Sequence, residues 1–354
     1  MNRIFTRRLA RAMVFLLAMG CLCVFAAHAQ YYQQQPQQQY QPQQYQQQQY
    51  QPQYQPRQQY QPQQRYQSQQ QYQYQPQLQF QQQPAYKMAQ REAVAAGAVG
   101  KTAPIKSVTD RPSKDMLKSR PGEHPLMPTL RWAQTGLKSI EQLHGYTARV
   151  VKRERVNGTV LDYEYMYVKV RHRPFSVYMY FLGPTKVKGQ EVIYIDGAND
   201  GKMWAHATGL RGMIGMVQIK PTNPLAMAGQ RYPITELGIQ NLVRRLLEVG
   251  EKDSKYGECE VSFLEGAKIE TRPCTCIQVV HPVPRRNFLF HIARIYVDDE
   301  LNIPIRYEAH DWPKGKDGMP ELIEEYTYLD FQPNDKLSDA DFDYRNPNYN
   351  FISK

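Results

Sequence analysis

Four short apolar segments follow one another between residues 163 and 206: YEYMYVKV (163–170), FSVYMYFL (175–182), EVIYI (191–195) and KMWAH (202–206). A strand in a sheet with one solvated face alternates apolar and polar residues. Here both faces are apolar, as the second segment shows with Phe175, Val177, Met179 and Phe181 on one face and Tyr178, Tyr180 and Leu182 on the other. The pattern predicts strands of a sheet whose second face is covered by helices, by a partner or by an apolar ligand.

The rest of this region predicts an α+β order. Strands are expected at 145–156, 159–172, 174–182, 190–196 and 202–207, with the Asn157-Gly158 hairpin joining the first two. Helices are expected at 130–144 and at 236–249, the second with Ile239, Leu242, Val243 and Leu246 on its inner side. Further strands follow at 258–264, 273–281, 288–297, 303–309 and 321–331. Residues 125–354 are therefore predicted to form one α+β domain with an antiparallel sheet covered by helices.

The N-terminal residues have the pattern of a secretory signal peptide. Arg3, Arg7, Arg8 and Arg11 precede an apolar run that ends at Ala27-His28-Ala29, an A-x-A cleavage site. A transmembrane helix needs roughly 20 apolar residues, more than this run has. The alternative is a lipoprotein acylated at Cys21 or Cys23, although Ala18-Met19-Gly20 is a poor match to the usual preceding residues. Residues 1–29 are predicted to be removed on export, which leaves no transmembrane anchor in the mature chain.

Two segments separate the signal peptide from the domain. Residues 30–83 consist almost entirely of Gln, Tyr and Pro and lack the aliphatic clusters that a packed core requires, so the segment is predicted to be disordered. It is interpreted as a spacer or as a tether to a cell-envelope component. Residues 84–124 form a basic linker rich in Ala and Pro.

The net charge of +11 does not indicate nucleic-acid binding. The signal peptide contributes +4, Arg57 and Arg65 contribute +2, and residues 84–123 contribute +4, which leaves about +1 from His124 onward. A nucleic-acid domain concentrates basic charge on its folded surface. No nucleic-acid partner is therefore expected.

Several longer motifs resemble the secreted bacterial family known as domain of unknown function 1571. They are GQEVIYIDGANDGKMWAH (189–206), RYPITELGIQNL (231–242), CTCIQVVHP (274–282) and FHIARIYVDDELNIPIRYEAHDWP (290–313). The resemblance spans roughly residues 125–345 and implies no particular activity.

At a coarser level the chain is similar to periplasmic lipoprotein and glycolipid carriers. The common features are an N-terminal helix, an early hairpin, Asp196-Gly197 followed by Trp204, and the stretch Leu301–Ile305. This resemblance implies a half-barrel, a curved antiparallel sheet closed by helices, whose concave face binds acyl chains. The residues expected to line that face are Met166, Val168, Val177, Met179 and Phe181, with the helix at 236–249 as cover.

The three cysteines of the domain predict one disulfide in an oxidising compartment. Cys259 is expected to pair with Cys274 or Cys276, which lie on the same face of one predicted strand. The third thiol is expected to be buried and inert, because nothing nearby would lower its pKa.

The sequence contains no recognisable catalytic or metal-binding motif. His281, His291, His310 and Asp311 lack the close spacing of a zinc site, so no metal and no cofactor are predicted. Asp339, Asp341 and Asp343 do not complete a calcium loop and are expected to alternate outward along an extended segment. No serine lies in a nucleophile elbow, so the protein is not expected to be an enzyme.

Two functions remain after these exclusions. The protein is either an exported carrier or sensor that binds a lipid or lipoprotein acyl chain, or a structural or adaptor protein of the cell envelope with a packed interior and no ligand.

Overall fold

The computed structural model describes residues 117–208, 215–315 and 318–352. The predicted signal peptide, the Gln/Tyr/Pro-rich segment and the linker up to residue 116 lie outside these residues. Within them, no helix has both the length and the apolar composition needed to span a bilayer. The described residues correspond to the predicted α+β domain and the end of its linker.

In the described residues, twelve strands form a single antiparallel sheet. They are β1 (Gly145–Val156), β2 (Thr159–Val160), β3 (Glu164–His172), β4 (Phe175–Gly183), β5 (Glu191–Ile195), β6 (Met203–His206), β7 (Met216–Ile219), β8 (Glu260–Ile269), β9 (Arg272–Val280), β10 (Ile292–Asp298), β11 (Pro304–His310) and β12 (Leu322–Pro333). The order is β7-β6-β5-β4-β3-β1-β12-β11-β10-β9-β8, with β2 paired to β1. Each half is a meander, β1 joins the halves by pairing with β12, and the order ends at β7 and β8, so the described sheet is open.

The predicted strands agree with the observed ones to within a few residues. Asn157 and Gly158 both have positive φ and form the expected two-residue turn between β1 and β2. The strand predicted at 159–172 is interrupted and becomes β2 and β3. The short strand β7 was not predicted, because its four residues show no clear alternation.

The described part of the chain also contains three α-helices: α1 (Met127–Ile140), α2 (Pro224–Met227) and α3 (Ile239–Asp253). α1 and α3 pack against each other on one side of the sheet, here called the inner face, and enclose with β9 and β10 a small apolar cavity of about 90 Å³. α3 begins later than predicted because Gly238 has a φ of +113°, which ends the preceding backbone turn. The Ile239 N–H then donates to the Tyr146 hydroxyl on β1 at 3.0 Å, which fixes the start of the helix to the sheet.

The opposite or outer face of β4 and β5 is covered by the C-terminal strap, defined here as residues 337–351. Tyr349 of the strap stacks on Tyr178 with ring centroids 4.0 Å apart, and Tyr344 stacks on Trp204 at 5.6 Å. Leu337, Phe342 and Phe351 are buried in the same cluster as Tyr178 and Ile193. At this end of the sheet, the cover that the apolar strands require comes from the chain itself.

The prediction for the three aspartates of the strap is wrong. Residues Asp339–Phe342 form a 3₁₀ helix capped by Ser338, and the acids do not alternate outward. Asp339 pairs with Arg171 at 2.7 Å and Asp341 with Lys169 at 2.8 Å, and both cations belong to β3. Asp339 and Asp341 thus pair with basic residues on the outer face of the sheet, whereas Asp343 pairs with Arg345 of the strap.

Farther along the outer face, β10, β11 and β12 carry a buried ion network. The Arg306 guanidinium contacts Glu308, Glu325 and Thr327, the first and last at 2.7 Å. Arg294 also pairs with Glu308, at 2.9 Å. Burial opposes ionisation of Glu308, but the charges of Arg306 and Arg294 outweigh it and lower the pKa of Glu308 to about 2.

Candidate ligand-binding cavity

A cavity of about 1010 Å³ lies between the inner face of the sheet and α3. Its walls are inner-face residues of β1, β3 to β7, β11 and β12, together with α3 and residues between 219 and 234. Ligand pockets for small molecules usually measure about 300–1,000 Å³, so the space is large enough for a ligand. α3 separates it from the small apolar cavity beside α1, since Leu246 and Val249 line both.

The five residues predicted to line a ligand site lie together on the inner face. Strand register places Met166 opposite Phe181, and Val168 opposite Met179. Met166, Met179 and Phe181 line the cavity. Val168 and Val177 are fully buried in the hydrophobic core and are not part of the cavity wall. Contact of any of the five with a ligand remains a prediction.

The wall also contains apolar residues besides the five that were predicted to line it. They are Val192, Met203, Ala205, Leu242, Leu246, Tyr307 and Tyr328. Leu242 and Leu246 do belong to the predicted inner side of the second helix, and their partial burial reflects the open space beside them. The contribution of β5, β6 and β11 could not be predicted because it depends on strand order.

One end of the cavity, the polar end, is charged. On β1 the inner-face residues change from Ala148 and Val150 to Lys152 and Glu154. The neighbouring strands change at the same level, since Lys152 lies opposite Glu164 on β3 and Glu154 lies opposite Glu324 on β12. The cavity therefore has an apolar part and a polar end.

The side chains of the polar end are linked to the segment that precedes α3. The Lys152 ammonium lies 3.2 Å from both Glu154 and Glu164 and also donates to Gln230. Arg231 pairs with Glu324 at 2.8 Å, and its backbone N–H donates to Glu154 at 3.1 Å.

Two tyrosines complete the polar end. The Tyr326 hydroxyl donates to Glu154 at 2.6 Å, and the Tyr232 hydroxyl donates to Glu324 at 3.3 Å. Burial raises the pKa of Glu324 above its ordinary value, and the Arg231 charge acts against this shift. Burial and the same carboxylate raise the pKa of Tyr232 to about 12, so its hydroxyl remains a donor at neutral pH.

The predicted disulfide is not present, since Cys259, Cys274 and Cys276 are buried free thiols in the structure. Glu260 pairs with Val280, so Cys259 lies beside the end of β9. Cys276 is four residues from Val280, roughly 13 Å along the strand, and Cys274 is farther still. A disulfide requires Cα atoms within about 7 Å, so this register does not allow the bridge. Burial raises the pKa of each thiol to about 12.

The histidines considered as metal ligands contact backbone and aromatic rings. His281 is fully buried, with Nδ1 3.1 Å from the Phe290 carbonyl and its ring stacked on Phe288. His291 Nδ1 lies 2.9 Å from the His281 carbonyl. His281 Nε2 lies 3.5 Å from Asp253 on α3, and burial raises the pKa of that carboxyl to about 6. Among the described residues, no group of three or more His, Cys, Asp or Glu is arranged to hold a metal ion.

The fold is an open antiparallel sheet that carries helices on its inner face. The family described as "Protein of unknown function (DUF1571)" matches residues 143–351, more than half of the chain. The chain belongs to this family, and the prediction from its motifs is confirmed. A search of curated proteins found no match.

Several solved structures are similar at low sequence identity. A DUF1329 family protein from Desulfovibrio piger is 11% identical, with a TM-score of 0.32 over 62% of this chain and 98% of that chain. A putative outer membrane lipoprotein-sorting protein domain from Vibrio parahaemolyticus is 13% identical, with a TM-score of 0.30 over 60% and 95%. The lipoprotein LppX from Mycobacterium tuberculosis is 11% identical, with a TM-score of 0.35 over 59% and 96%.

Proposed function

We propose that this domain is a carrier or sensor that binds the acyl chain of a lipid or lipoprotein in the cavity beneath α3. The observation that supports the proposal is the 1010 Å³ space lined by Met166, Met179 and Phe181. Burial of each methylene of an acyl chain contributes about 0.8 kcal/mol. The flexible methionine side chains adapt to chains of different shape.

The alternative is a structural or adaptor protein of the cell envelope. That alternative requires a packed interior, because protein cores are as dense as organic crystals and contain few voids larger than a water molecule. A space of this volume on the inner face favours the carrier. A role for residues 30–83 in attachment to the cell envelope is compatible with either function and is part of the proposal.

We propose that the protein is located in the periplasm or cell envelope, on the basis of its N-terminal sequence pattern. We also propose that the sheet is curved as a half-barrel and that its concave face forms the acyl-chain site. The protein is proposed to act by binding and not by catalysis. N-terminal sequencing of the protein from a native-type host tests the export step, with Gln30 as the expected first residue. A first residue at Cys21 or Cys23 carrying acyl groups would contradict cleavage after Ala29.

Lipid extraction and mass spectrometry of the mature protein test the binding function. The wild-type protein should release amphiphiles in stoichiometric amounts. Ala205→Trp places an indole in the cavity and should reduce the extracted lipid at least severalfold while the protein stays folded. Ala340→Trp, at an exposed position of the C-terminal strap, is the matched control and should retain wild-type lipid.

The carrier proposal is refuted if wild-type protein releases no lipid and also fails to bind added fatty-acyl probes. Equal lipid content in the two variants would show that the extracted lipid lies elsewhere. Thermal unfolding of each variant confirms that a loss of lipid is not a loss of folding.

A further inference from the structure

The cavity is polarised along the direction of its strands. Toward one end, Val150 of β1 is flanked by Met166 of β3 and Tyr328 of β12. Two residues farther along β1, Lys152 is flanked by Glu164 and Tyr326. A ligand that fills both parts must carry an apolar chain and a polar group, so an amphiphile fits this cavity better than a pure hydrocarbon.

The polar end has more carboxylates than cations. Glu154, Glu164 and Glu324 are matched there by Lys152 and Arg231 only, which gives a formal charge of −1. The formal charges of the other charged residues of the wall sum to zero, since they are two cations, Lys186 and Arg245, and two acids, Asp162 and Glu236. The excess among the described residues is thus located at the polar end.

Of the charged side chains in the cavity wall, those of the polar end have the least access to water. The side chains of Glu154 and Glu324 are 4% and 9% exposed, and that of Lys152 is 10% exposed. A buried charge without a counter-charge is costly, and either a proton or a cationic ligand group removes the cost. A second anion would increase it.

The polar end also contacts the segment that precedes α3. Gln230, Arg231 and Tyr232 belong to the segment between α2 and the turn before α3. Their side chains contact β1, β3 and β12. The Arg231 side chain is 31% exposed, so the polar end reaches the protein surface at this residue. A headgroup can therefore enter here while its chain occupies the apolar part.

We propose that the polar end binds the headgroup of the amphiphile and selects a headgroup that bears an ammonium over one that is only anionic. This inference rests on the proposed carrier function and specifies the class of its ligand. Glu324 is the specificity-determining residue, since it lies opposite Glu154 and contacts Arg231 and Tyr232. Lys152 holds Glu154 and Glu164 in place.

Three twelve-carbon probes test the proposal by calorimetry on the full mature protein at pH 7, below their micelle concentrations. They are dodecylammonium, dodecanoate and the non-ionic dodecyl maltoside. Dodecylammonium should bind at least tenfold more tightly than dodecanoate. Non-specific attraction would give the opposite order, because the chain is basic overall.

Glu324→Gln should reduce dodecylammonium affinity at least fivefold and leave dodecyl maltoside affinity within twofold. Glu300→Gln removes the same charge at an exposed turn and serves as the control with unchanged affinities. If Glu324→Gln does not fold, Glu164→Gln replaces it, because that side chain is more exposed and keeps a polar contact to Gln230.

The outcomes separate the two proposals. Tighter or equal binding of dodecanoate overturns the headgroup selection and leaves the carrier function standing. Absence of binding by all three probes overturns the carrier function itself. An unchanged preference in a folded Glu324→Gln variant overturns the role of Glu324.

Discussion

The ion network on the outer face permits a quantitative test of the fold. Arg306 is 2% exposed and lies between Glu308 and Glu325. Arg306→Met keeps much of the side-chain volume but removes the guanidinium from both carboxylates. Breaking a buried ion pair in this way typically destabilises a protein by about 3–5 kcal/mol.

The pKa of Glu308 reflects the same network, in which burial acts against the charges of Arg306 and Arg294. Its lowering from 4.5 to about 2 corresponds to about 3 kcal/mol at 1.36 kcal/mol per unit. Because the folded pKa is lowered, this stability is present above pH ~4.5 and is lost as the pH falls toward 2. For Arg306→Met we therefore expect a loss of about 3–5 kcal/mol at pH 7.

Urea unfolding followed by tryptophan fluorescence measures the loss, and thermal unfolding should show a decrease of about 6–20 °C for a domain of this size. The difference in stability between variant and wild type should shrink as the pH falls below 4.5, because a protonated Glu308 has no charge for the guanidinium to compensate. Arg345→Met, whose side chain is 70% exposed beside Asp343, should cost less than about 1 kcal/mol. A loss below about 1 kcal/mol for Arg306→Met at neutral pH would refute the network.

Two further predictions concern the thiols and the N-terminal segments. Peptide mapping of protein from an oxidising compartment should identify all three cysteines as free thiols. They should react with thiol reagents only after unfolding, because burial disfavours the thiolate. A bridge among Cys259, Cys274 and Cys276 would contradict the strand register. Deletion of residues 30–116 should leave the melting temperature within a few degrees of that of the full mature chain, because this segment contains few aliphatic residues for a core. A large decrease in melting temperature would show that the stability of the domain depends on the deleted segment.

Local sequence patterns predicted the elements of this fold well. The two apolar faces of FSVYMYFL correspond to a strand covered by core on one side and by the C-terminal strap on the other. The strap itself was not predicted, because Phe342, Tyr349 and Phe351 show no strand or helix periodicity. Their positions are explained only by contacts with Tyr178 and Ile193, far away in the sequence.

The candidate site was predicted in part for the same reason. Met166, Met179 and Phe181 follow from alternation within strands that are neighbours in the chain. The polar end could not be predicted in this way. In the sequence, Lys152 and Glu154 resemble the solvated end of a hairpin, and only the pairing of β1 with β12 shows that Glu324 lies beside them. The disulfide prediction was wrong because residue type and compartment indicate only that cysteines can pair. The strand register determines whether their Cα atoms are close enough to do so.

The pairing of β1 with β12 has a consequence for how the chain folds. The first long strand, β1, pairs with the last strand, β12, so that Tyr146 lies opposite Pro333 and Glu154 lies opposite Glu324. Each meander can form from local hairpins, but the ladder that joins them closes a loop of nearly the whole domain, and such contacts slow folding. During synthesis or translocation from the N-terminus, β1 therefore has an unpaired edge until residues 322–333 emerge. An unpaired edge of this kind promotes aggregation, so we expect this interval to be the stage at which the chain most depends on chaperones.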